Sequence, residues 1–166
     1  NFELPDFIKK MSENKWLGDK TKQGFYKKSK DENGKRVIES LNLKTLEYAV
    51  KQKVKFATIG LAKQEDNVKK RLKILVAGKD KAGEFYRKSF YSTFEYVSHR
   101  IPEISDDLYK IDRSLKAGFG WELGPFEMWD ILGVEKTISK MEEAGFKAAG
   151  WIYDMSKSGE TSFYTT

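Results

Sequence analysis

The sequence predicts a mainly α-helical fold with a small β segment in its first half. Beyond residue 61, apolar residues recur at helical spacing, as Leu61, Val68 and Leu72 do at positions i, i+7 and i+11. Within residues 36–56, short runs of β-branched and aromatic residues lie between turn-forming residues, which is typical of strands. With 166 residues, the chain can bury a modest core without a metal or a disulfide.

The first half is predicted to contain one short helix, an irregular turn and a few extended segments. The helix is expected over residues 6–14. Two glycines in residues 18–26 predict an irregular turn that buries Phe25 or Tyr26. The turn-forming and charged residues 29–34 are the best candidate boundary in the chain. The extended segments are predicted at residues 36–41, 47–50 and 54–56.

Glycines, prolines and capping residues divide the second half into six predicted helices. The first runs from Leu61 to Gly78, and Asp80 caps the second, which ends at Arg100. The third begins at Ser105 and ends at Gly118. The last three are predicted at residues 125–133, 134–145 and 151–159, each closed by a glycine.

The end of the chain resembles its beginning, which indicates an internal repeat. Residues 7–11 and 151–155 both place aromatic and apolar residues on one helical face. Each segment is followed by a glycine, a threonine and an aromatic pair, Phe25-Tyr26 in the first and Phe163-Tyr164 in the second. The predicted organisation is the closing part of a first helical repeat at residues 1–28, a linker at 29–60 and a complete second repeat at 61–166.

Composition excludes several kinds of chemistry. The chain has no cysteine and one histidine, so thiol catalysis, disulfides and most transition-metal sites are not expected. Residues 1–81 carry 21 basic and 11 acidic side chains, a net charge of +10, whereas the remainder carries −4. The cations are scattered lysines without an arginine-rich stripe, so nucleic acid is not a predicted partner. No apolar run is long enough to span a bilayer, and we expect a cytoplasmic protein that is part of something longer.

Three sets of residues have spacings that could indicate a functional site. The glycines of residues 118–124 do not fit a dinucleotide fingerprint, because the third glycine comes four residues after the second and a helix leads in. His99 lies four residues after Glu95 and could act with it as a base and an orienting carboxylate. Glu127 and Asp130 could form a carboxylate pair, as in glycoside hydrolysis. In each case packing or surface solvation is the simpler explanation.

Two motifs resemble the C-terminal helical domains of 3-hydroxyacyl-CoA dehydrogenases, most closely the bacterial multifunctional type that also carries an enoyl-CoA hydratase domain. They are residues 17–26, with a Lys-Thr-x-x-Gly-Phe-Tyr pattern, and residues 111–130. The motif positions of structural type are Gly18, Lys20, Thr21, Gly24, Phe25, Tyr26, Asp112, Gly118, Gly120, Trp121, Gly124, Pro125, Phe126 and Asp130.

The resemblance implies a helical bundle of the 6-phosphogluconate dehydrogenase C-terminal-domain-like type. It also implies that NAD and the catalytic residues belong to a Rossmann-type domain and a first helical repeat upstream, and that the substrate is a 3-hydroxyacyl-CoA of fatty acid β-oxidation. A helix asparagine of the family is replaced near Tyr86-Arg87, so this unit is expected to be degenerate.

We therefore expect no catalytic, cofactor-binding or metal-binding residue in this chain. The chain is expected to contribute domain packing and the acyl-CoA cleft, and to be inactive in isolation. The alternative is a free-standing helical adaptor that holds an anionic partner, and a hydrolase acting through Glu127 and Asp130 is a third hypothesis.

Overall fold

The computed structural model describes residues 3–50 and 53–164. The chain divides into two compact units, Asn1–Val54 and Lys55–Thr166. The division falls inside the segment that the sequence predicts as a linker, residues 29–60. Helices dominate, and one small antiparallel sheet accompanies them, so the predicted mainly helical class is confirmed.

The first unit combines a short helix with a three-stranded antiparallel sheet whose strand order is β1-β2-β3. Its elements are α1 (Asp6–Glu13), a 3-10 turn (Asp19–Thr21), β1 (Tyr26–Lys30), β2 (Arg36–Leu41) and β3 (Tyr48–Val50). The predicted helix and the strands β2 and β3 are present. Residues 53–56 are not a strand, and Phe56 instead precedes the next helix as its N-cap residue.

Strand β1 was not predicted, because its sequence has a lysine at three of its five positions and shows little apolar alternation. Pairing with β2 holds it, with Tyr26 opposite Ser40 and Lys30 opposite Arg36. Such pairing joins residues that are distant in sequence, so local patterns do not reveal it. The turn before the strand also leaves both Phe25 and Tyr26 exposed within this unit, which contradicts the expectation that one of them is buried there.

The described part of the second unit consists of helices and connecting loops, without a strand. Its helices are α2 (Ala57–Ala62), α3 (Val68–Ala77), α4 (Lys81–His99), α5 (Leu108–Phe119), α6 (Pro125–Leu132), α7 (Val134–Glu143) and α8 (Gly150–Lys157). Asp80 caps α4 as predicted, since its side chain accepts a hydrogen bond from the Gly83 N–H at 3.0 Å. Pro125 begins α6 and Gly133 ends it, also as predicted.

Three helix boundaries differ from the prediction, the first being that α2 begins at Ala57, inside the segment predicted as a linker. The expected helix over residues 61–78 is two helices, because Asn67 caps α3 by accepting a hydrogen bond from the Lys70 N–H at 3.1 Å. The third predicted helix begins at Leu108 and not at Ser105, since the Asp107 carboxylate is the group that caps it. At α3 a side-chain cap thus outweighed the apolar periodicity, whereas at α5 the capping residue is Asp107, two residues after the expected Ser105.

The core of the second unit is aromatic. The rings of Phe94 on α4 and Trp129 on α6 stack with centroids 4.8 Å apart and an interplanar angle of 12°. Phe126 and Ile152 are fully buried beside them. Within residues 3–50 and 53–164, none of the helices combines the length and the apolar character that crossing a bilayer requires.

Candidate functional site

Asp112, near the start of the second motif, lies on one helix and caps the N-terminus of the next. It lies on α5 with a side chain that is 1% exposed. Its two carboxylate oxygens accept hydrogen bonds from the N–H groups of Phe126 and Glu127, each at 2.9 Å, at the first turn of α6. The Tyr164 hydroxyl donates a third hydrogen bond to it, also at 2.9 Å. A carboxylate placed here satisfies two N–H groups that no helical carbonyl can reach and meets the positive end of the helix dipole.

Burial and these hydrogen bonds act in opposite directions on the Asp112 carboxyl. Burial raises its pKa above the ordinary 3.8, and the hydrogen bonds from Phe126, Glu127 and Tyr164 offset that rise in part. Burial and the adjacent Asp112 carboxylate raise the pKa of the Tyr164 phenol as well. The Tyr164 phenol therefore stays protonated at neutral pH and donates its hydrogen bond to the Asp112 carboxyl.

Gly124 makes the approach of α5 to α6 possible. A Cβ atom built on this glycine would lie 2.3 Å from the Cβ and Cγ atoms of Asp112 and 2.6 Å from its Cα atom. Real side chains do not approach this closely, so only glycine fits while the carboxylate reaches the helix N-terminus. Pro125 follows as the first residue of α6, where its missing N–H needs no partner.

Glu127 completes the cap of α6. Its Oε2 atom accepts a hydrogen bond from the Gly124 N–H at 2.7 Å, and the Lys116 ammonium donates to the same carboxylate at 2.9 and 3.1 Å. The hydrogen bond to Glu127 raises the pKa of Lys116. Glu127 thus joins Lys116 on α5 to the residue that precedes α6.

Asp130 anchors the segment after α8. Its carboxylate oxygens accept hydrogen bonds from the Phe163 N–H at 2.8 Å and the Tyr164 N–H at 3.1 Å. Burial raises the pKa of this carboxyl. A groove of about 650 Å³ passes over Glu127 and Asp130, but both carboxylates are committed to structural hydrogen bonds. This geometry does not support the hydrolase hypothesis.

In the segment after α8, the Phe163 side chain packs into the core beside α6. The Phe163 ring contacts Phe126 at 5.1 Å and Trp129 at 5.4 Å between centroids, in edge-to-face geometry. It also contacts Trp151 on α8 at 6.0 Å, with an interplanar angle of 64°. The tail is therefore held twice, by Asp130 through its backbone and by α6 through its ring.

The remaining glycines and the tryptophan of the motif lie in the connection between α5 and α6. Gly118 belongs to the last turn of α5, and Gly120 ends the helix with φ +66°, a left-handed conformation that favours glycine. Trp121 is exposed and contacts Phe119. The motif is thus a helix-to-helix connection in which Gly120 supplies a left-handed conformation and Gly124 supplies space, whereas the surroundings of Gly118 do not require a glycine.

The first motif forms a tight loop in the first unit. The Thr21 hydroxyl accepts a hydrogen bond from the Leu17 N–H at 3.0 Å and lies 3.2 Å from the Gly18 carbonyl oxygen. Gly24 packs against Gly18, where an added Cβ atom would lie 2.8 Å from the Gly18 Cα atom. The Tyr48 hydroxyl donates a hydrogen bond to the Gly24 carbonyl oxygen, which ties the loop to β3.

The other first-motif residues point outward from this loop. Lys20 is exposed in the 3-10 turn. Phe25 is 47% exposed and contacts Phe7 on α1 with ring centroids 6.3 Å apart and an interplanar angle of 67°. Tyr26 is 58% exposed at the start of β1. Within the unit, this motif places the aromatic pair on its surface.

His99 and Glu95 do not form a base and its orienting carboxylate. The His99 Nδ1 atom lies 2.8 Å from the Glu95 main-chain carbonyl oxygen, whereas the Glu95 carboxylate accepts a hydrogen bond from the Lys147 N–H at 2.7 Å. Nearby, the buried Ser98 hydroxyl accepts a hydrogen bond from the Ala149 N–H at 3.0 Å. Sequence reasoning missed these anchors, because their partners lie more than 50 residues away along the chain.

The residues of this region do not fit a dinucleotide. A helix and not a strand precedes the glycines, and Gly124 faces Asp112 where a cofactor phosphate would need open space. The N-terminus of α6, which could otherwise attract an anion, already holds the Asp112 and Glu127 carboxylates. The arrangement is suited to holding helices together.

Comparison with curated proteins shows relatives over nearly the whole chain. It is 40% identical over 163 residues to the probable 3-hydroxyacyl-CoA dehydrogenase of Bacillus subtilis (strain 168), a match that covers 98% of this chain and 20% of that protein. It is 30% identical over 137 residues to a protein of Rickettsia felis named as a fatty acid oxidation complex trifunctional enzyme, a match that covers 82% of this chain and 17% of that protein.

A third relative, from Rickettsia prowazekii and with the same name, is 30% identical over 122 residues, which is 74% of this chain and 15% of that protein. The chain thus spans a fifth or less of the length of these curated relatives. No family model matches it, and no solved structure matches it.

Proposed function

We propose that this chain, which is related in sequence to a segment of 3-hydroxyacyl-CoA dehydrogenases, is a C-terminal helical part of such an enzyme in fatty acid β-oxidation. It contributes the packing of domains and one wall of the acyl-CoA cleft, and it supplies no catalytic residue of its own. The whole enzyme oxidises the hydroxyl group of a 3-hydroxyacyl-CoA with NAD.

The observation that carries this proposal is the use of the motif carboxylates as structural acceptors. Asp112 caps α6, Glu127 closes the same cap, and Asp130 holds the tail. Of the four acidic groups in residues 111–130, these three accept backbone N–H groups and Glu122 lies in an exposed ion pair with Arg71, which supports packing and not proton transfer. This agrees with the resemblance, in which the reaction is carried out elsewhere in the enzyme.

We assign the cofactor and the partners of this chain to other parts of the same enzyme. NAD binds a Rossmann-type domain upstream, as the resemblance to 3-hydroxyacyl-CoA dehydrogenases implies. That domain, a first helical repeat and the acyl-CoA substrate are the partners of this chain, and the enzyme is cytoplasmic. Residues 1–28 close the first helical repeat, residues 29–60 link it to the second, and residues 61–166 form the second.

The test compares the isolated chain with the longer enzyme that contains it. Oxidation of NADH in the presence of acetoacetyl-CoA is expected to be undetectable with the purified chain and readily measured with the longer enzyme. Turnover by the isolated chain contradicts the assignment of the chemistry to other domains. Absence of turnover in the longer enzyme, with folding confirmed by circular dichroism, contradicts the assignment of the reaction.

A matched pair of variants tests the packing role within the longer enzyme. Gly124→Ala forces α5 and α6 apart and is expected to shorten the half-life of activity on heating. Gly118→Ala changes the same motif at a position where no atom of the described residues lies within 4 Å of an added Cβ, and it is expected to leave that half-life unchanged or longer. Equal half-lives for the two variants would show that this connection does not support the active enzyme.

A further inference from the structure

The first unit exposes an aromatic surface that its counterpart in the second unit covers. We define the aromatic face by the side chains of Phe7 and Ile8 on α1 and Phe25 in the loop that follows. Phe25 is 47% exposed, whereas its counterpart Phe163 is partly buried against α6. Ile8 is partly exposed, whereas its counterpart Ile152 is completely buried.

The two copies share one aromatic pair of similar geometry. In the first, the Phe7 and Phe25 rings meet edge to face with centroids 6.3 Å apart at 67°. In the second, Trp151 and Phe163 meet edge to face with centroids 6.0 Å apart at 64°. A helix and its following aromatic therefore form the same pair in both units, although different elements follow the first and the second.

The second copy shows what covers such a pair. Phe126 and Trp129, three residues apart on α6, contact Phe163 from one side of the helix, and both are completely buried. Phe126 also contacts the Trp151 ring, with centroids 6.2 Å apart. The aromatic surface of α6 is thus already occupied within its own unit by Phe163.

We propose that the aromatic face of Phe7, Ile8 and Phe25 docks on a helix of the same enzyme outside these 166 residues, one that presents two aromatic side chains three residues apart as α6 does. The inference rests on the proposed function, and the relatives provide the length, since this chain spans a fifth of the Bacillus subtilis protein. Covering Phe25, which is about half exposed, together with the partly exposed Phe7 and Ile8 stabilises the docked arrangement.

The test is hydroxyl-radical footprinting of the unmodified isolated chain and of the longer enzyme, read by mass spectrometry. Leu43, at the turn between β2 and β3, is a matched control because it is 46% exposed in the same unit. Since the oxidation rate follows the exposed area and the counterpart Phe163 keeps partial exposure, docking is expected to slow oxidation of Phe25 about twofold in the longer enzyme relative to the isolated chain. Oxidation of Leu43 is expected to change far less.

Equal slowing of Phe25 and Leu43, or no slowing of either, would overturn the proposal. Slowing of Phe25 in the isolated chain itself as its concentration rises would identify a second copy as the occupant and would also overturn it. Because the readout is oxidation and not turnover, an inactive longer enzyme with a protected Phe25 would contradict the proposed function and leave this inference standing.

A variant tests the same contact from the other direction. Phe25→Asp places a charge on the aromatic face, and Leu43→Asp places one on the control surface. In the longer enzyme, Phe25→Asp is expected to bring the oxidation rate of Phe7 to that of the isolated Phe25→Asp chain, whereas Leu43→Asp leaves Phe7 protected. A protected Phe7 in the Phe25→Asp enzyme would show that another contact covers this helix.

Discussion

Three glycines within seven residues are expected to respond to alanine in three different ways. Gly118, Gly120 and Gly124 all belong to the connection between α5 and α6, and a sequence pattern treats them alike. The structure separates them by conformation and by available space. Alanine adds the same methyl group at each position, so the differences report the surroundings alone.

Gly124→Ala is expected to be the severe substitution. Its methyl group would lie 2.3 Å from the Asp112 Cβ atom, and the atoms it meets are close to the backbone and not the end of a flexible side chain. Relieving the overlap moves α5 away from α6 and lengthens the hydrogen bonds that Asp112 accepts. Overpacking and the loss of these buried hydrogen bonds together destabilise the second unit by about 3 kcal/mol or more.

The other two positions are the controls. At Gly118 no atom of the described residues lies within 4 Å of the new Cβ, and the backbone is helical, so alanine stabilises α5 by about 0.5 kcal/mol. At Gly120 space is open in the same sense, but φ is +66°, so alanine costs about 1 kcal/mol in backbone strain.

Thermal unfolding of the isolated chain, followed by near-ultraviolet circular dichroism, measures the series. For a unit of this size, about 3 kcal/mol corresponds to a fall in Tm of about 15 °C for Gly124→Ala. Gly120→Ala is expected to lower Tm by about 5 °C, and Gly118→Ala to raise it by a few degrees. If Gly124→Ala and Gly120→Ala have the same Tm, the close approach of Gly124 to Asp112 is not what holds the two helices.

Three further substitutions test the polar anchors of the second unit. Asp112→Asn removes a carboxyl whose pKa is raised by burial. Because the folded chain binds that proton more tightly than the unfolded chain, the stability of the wild type relative to Asp112→Asn should rise as the pH falls through that raised pKa. Urea unfolding at several pH values measures this difference, and a difference that shrinks in acid would refute the argument. Tyr164→Phe should cost about 1 kcal/mol and much less in the Asp112→Asn background, whereas equal costs in a double-mutant cycle would show that the two side chains are not coupled. Ser98→Ala leaves the buried Ala149 N–H unpaired and should lower the free energy of unfolding by about 1–2 kcal/mol, while Ser158→Ala at an exposed site should not change it measurably.

The helices that could be predicted from the sequence are those whose ends are set by nearby residues. Asp80 caps α4 through a residue three positions away, and Pro125 begins α6 without any distant partner. Strand β1 could not be predicted in this way, because its lysine-rich sequence becomes a strand only when β2 lies beside it. The break before α3 was missed for a different reason, since the apolar spacing of Leu61 and Val68 suggested one continuous helix.

The candidate site likewise contains some features that the sequence indicated and others that it did not. The motif itself identified Asp112 and Gly124 as structural positions, but it did not show that one caps a helix 14 residues further on and that the other provides the space. The partners Ser98 and Tyr164 could not be found, because a serine or a tyrosine has no pattern that indicates a hydrogen bond made 50 residues away.

Residue types and their spacing were sufficient to establish a helical chain, to relate it to 3-hydroxyacyl-CoA dehydrogenases and to reveal the likeness between its two ends. Whether a given carboxylate is available for chemistry depended on folding, since Asp112 and Asp130 received their hydrogen-bond donors only when α5, α6 and the tail came together. The physical reason is that these properties depend on interactions of different range along the chain. A backbone conformation responds to neighbours within one helical turn, whereas the burial and hydrogen bonding of a side chain depend on whichever distant segment packs against it.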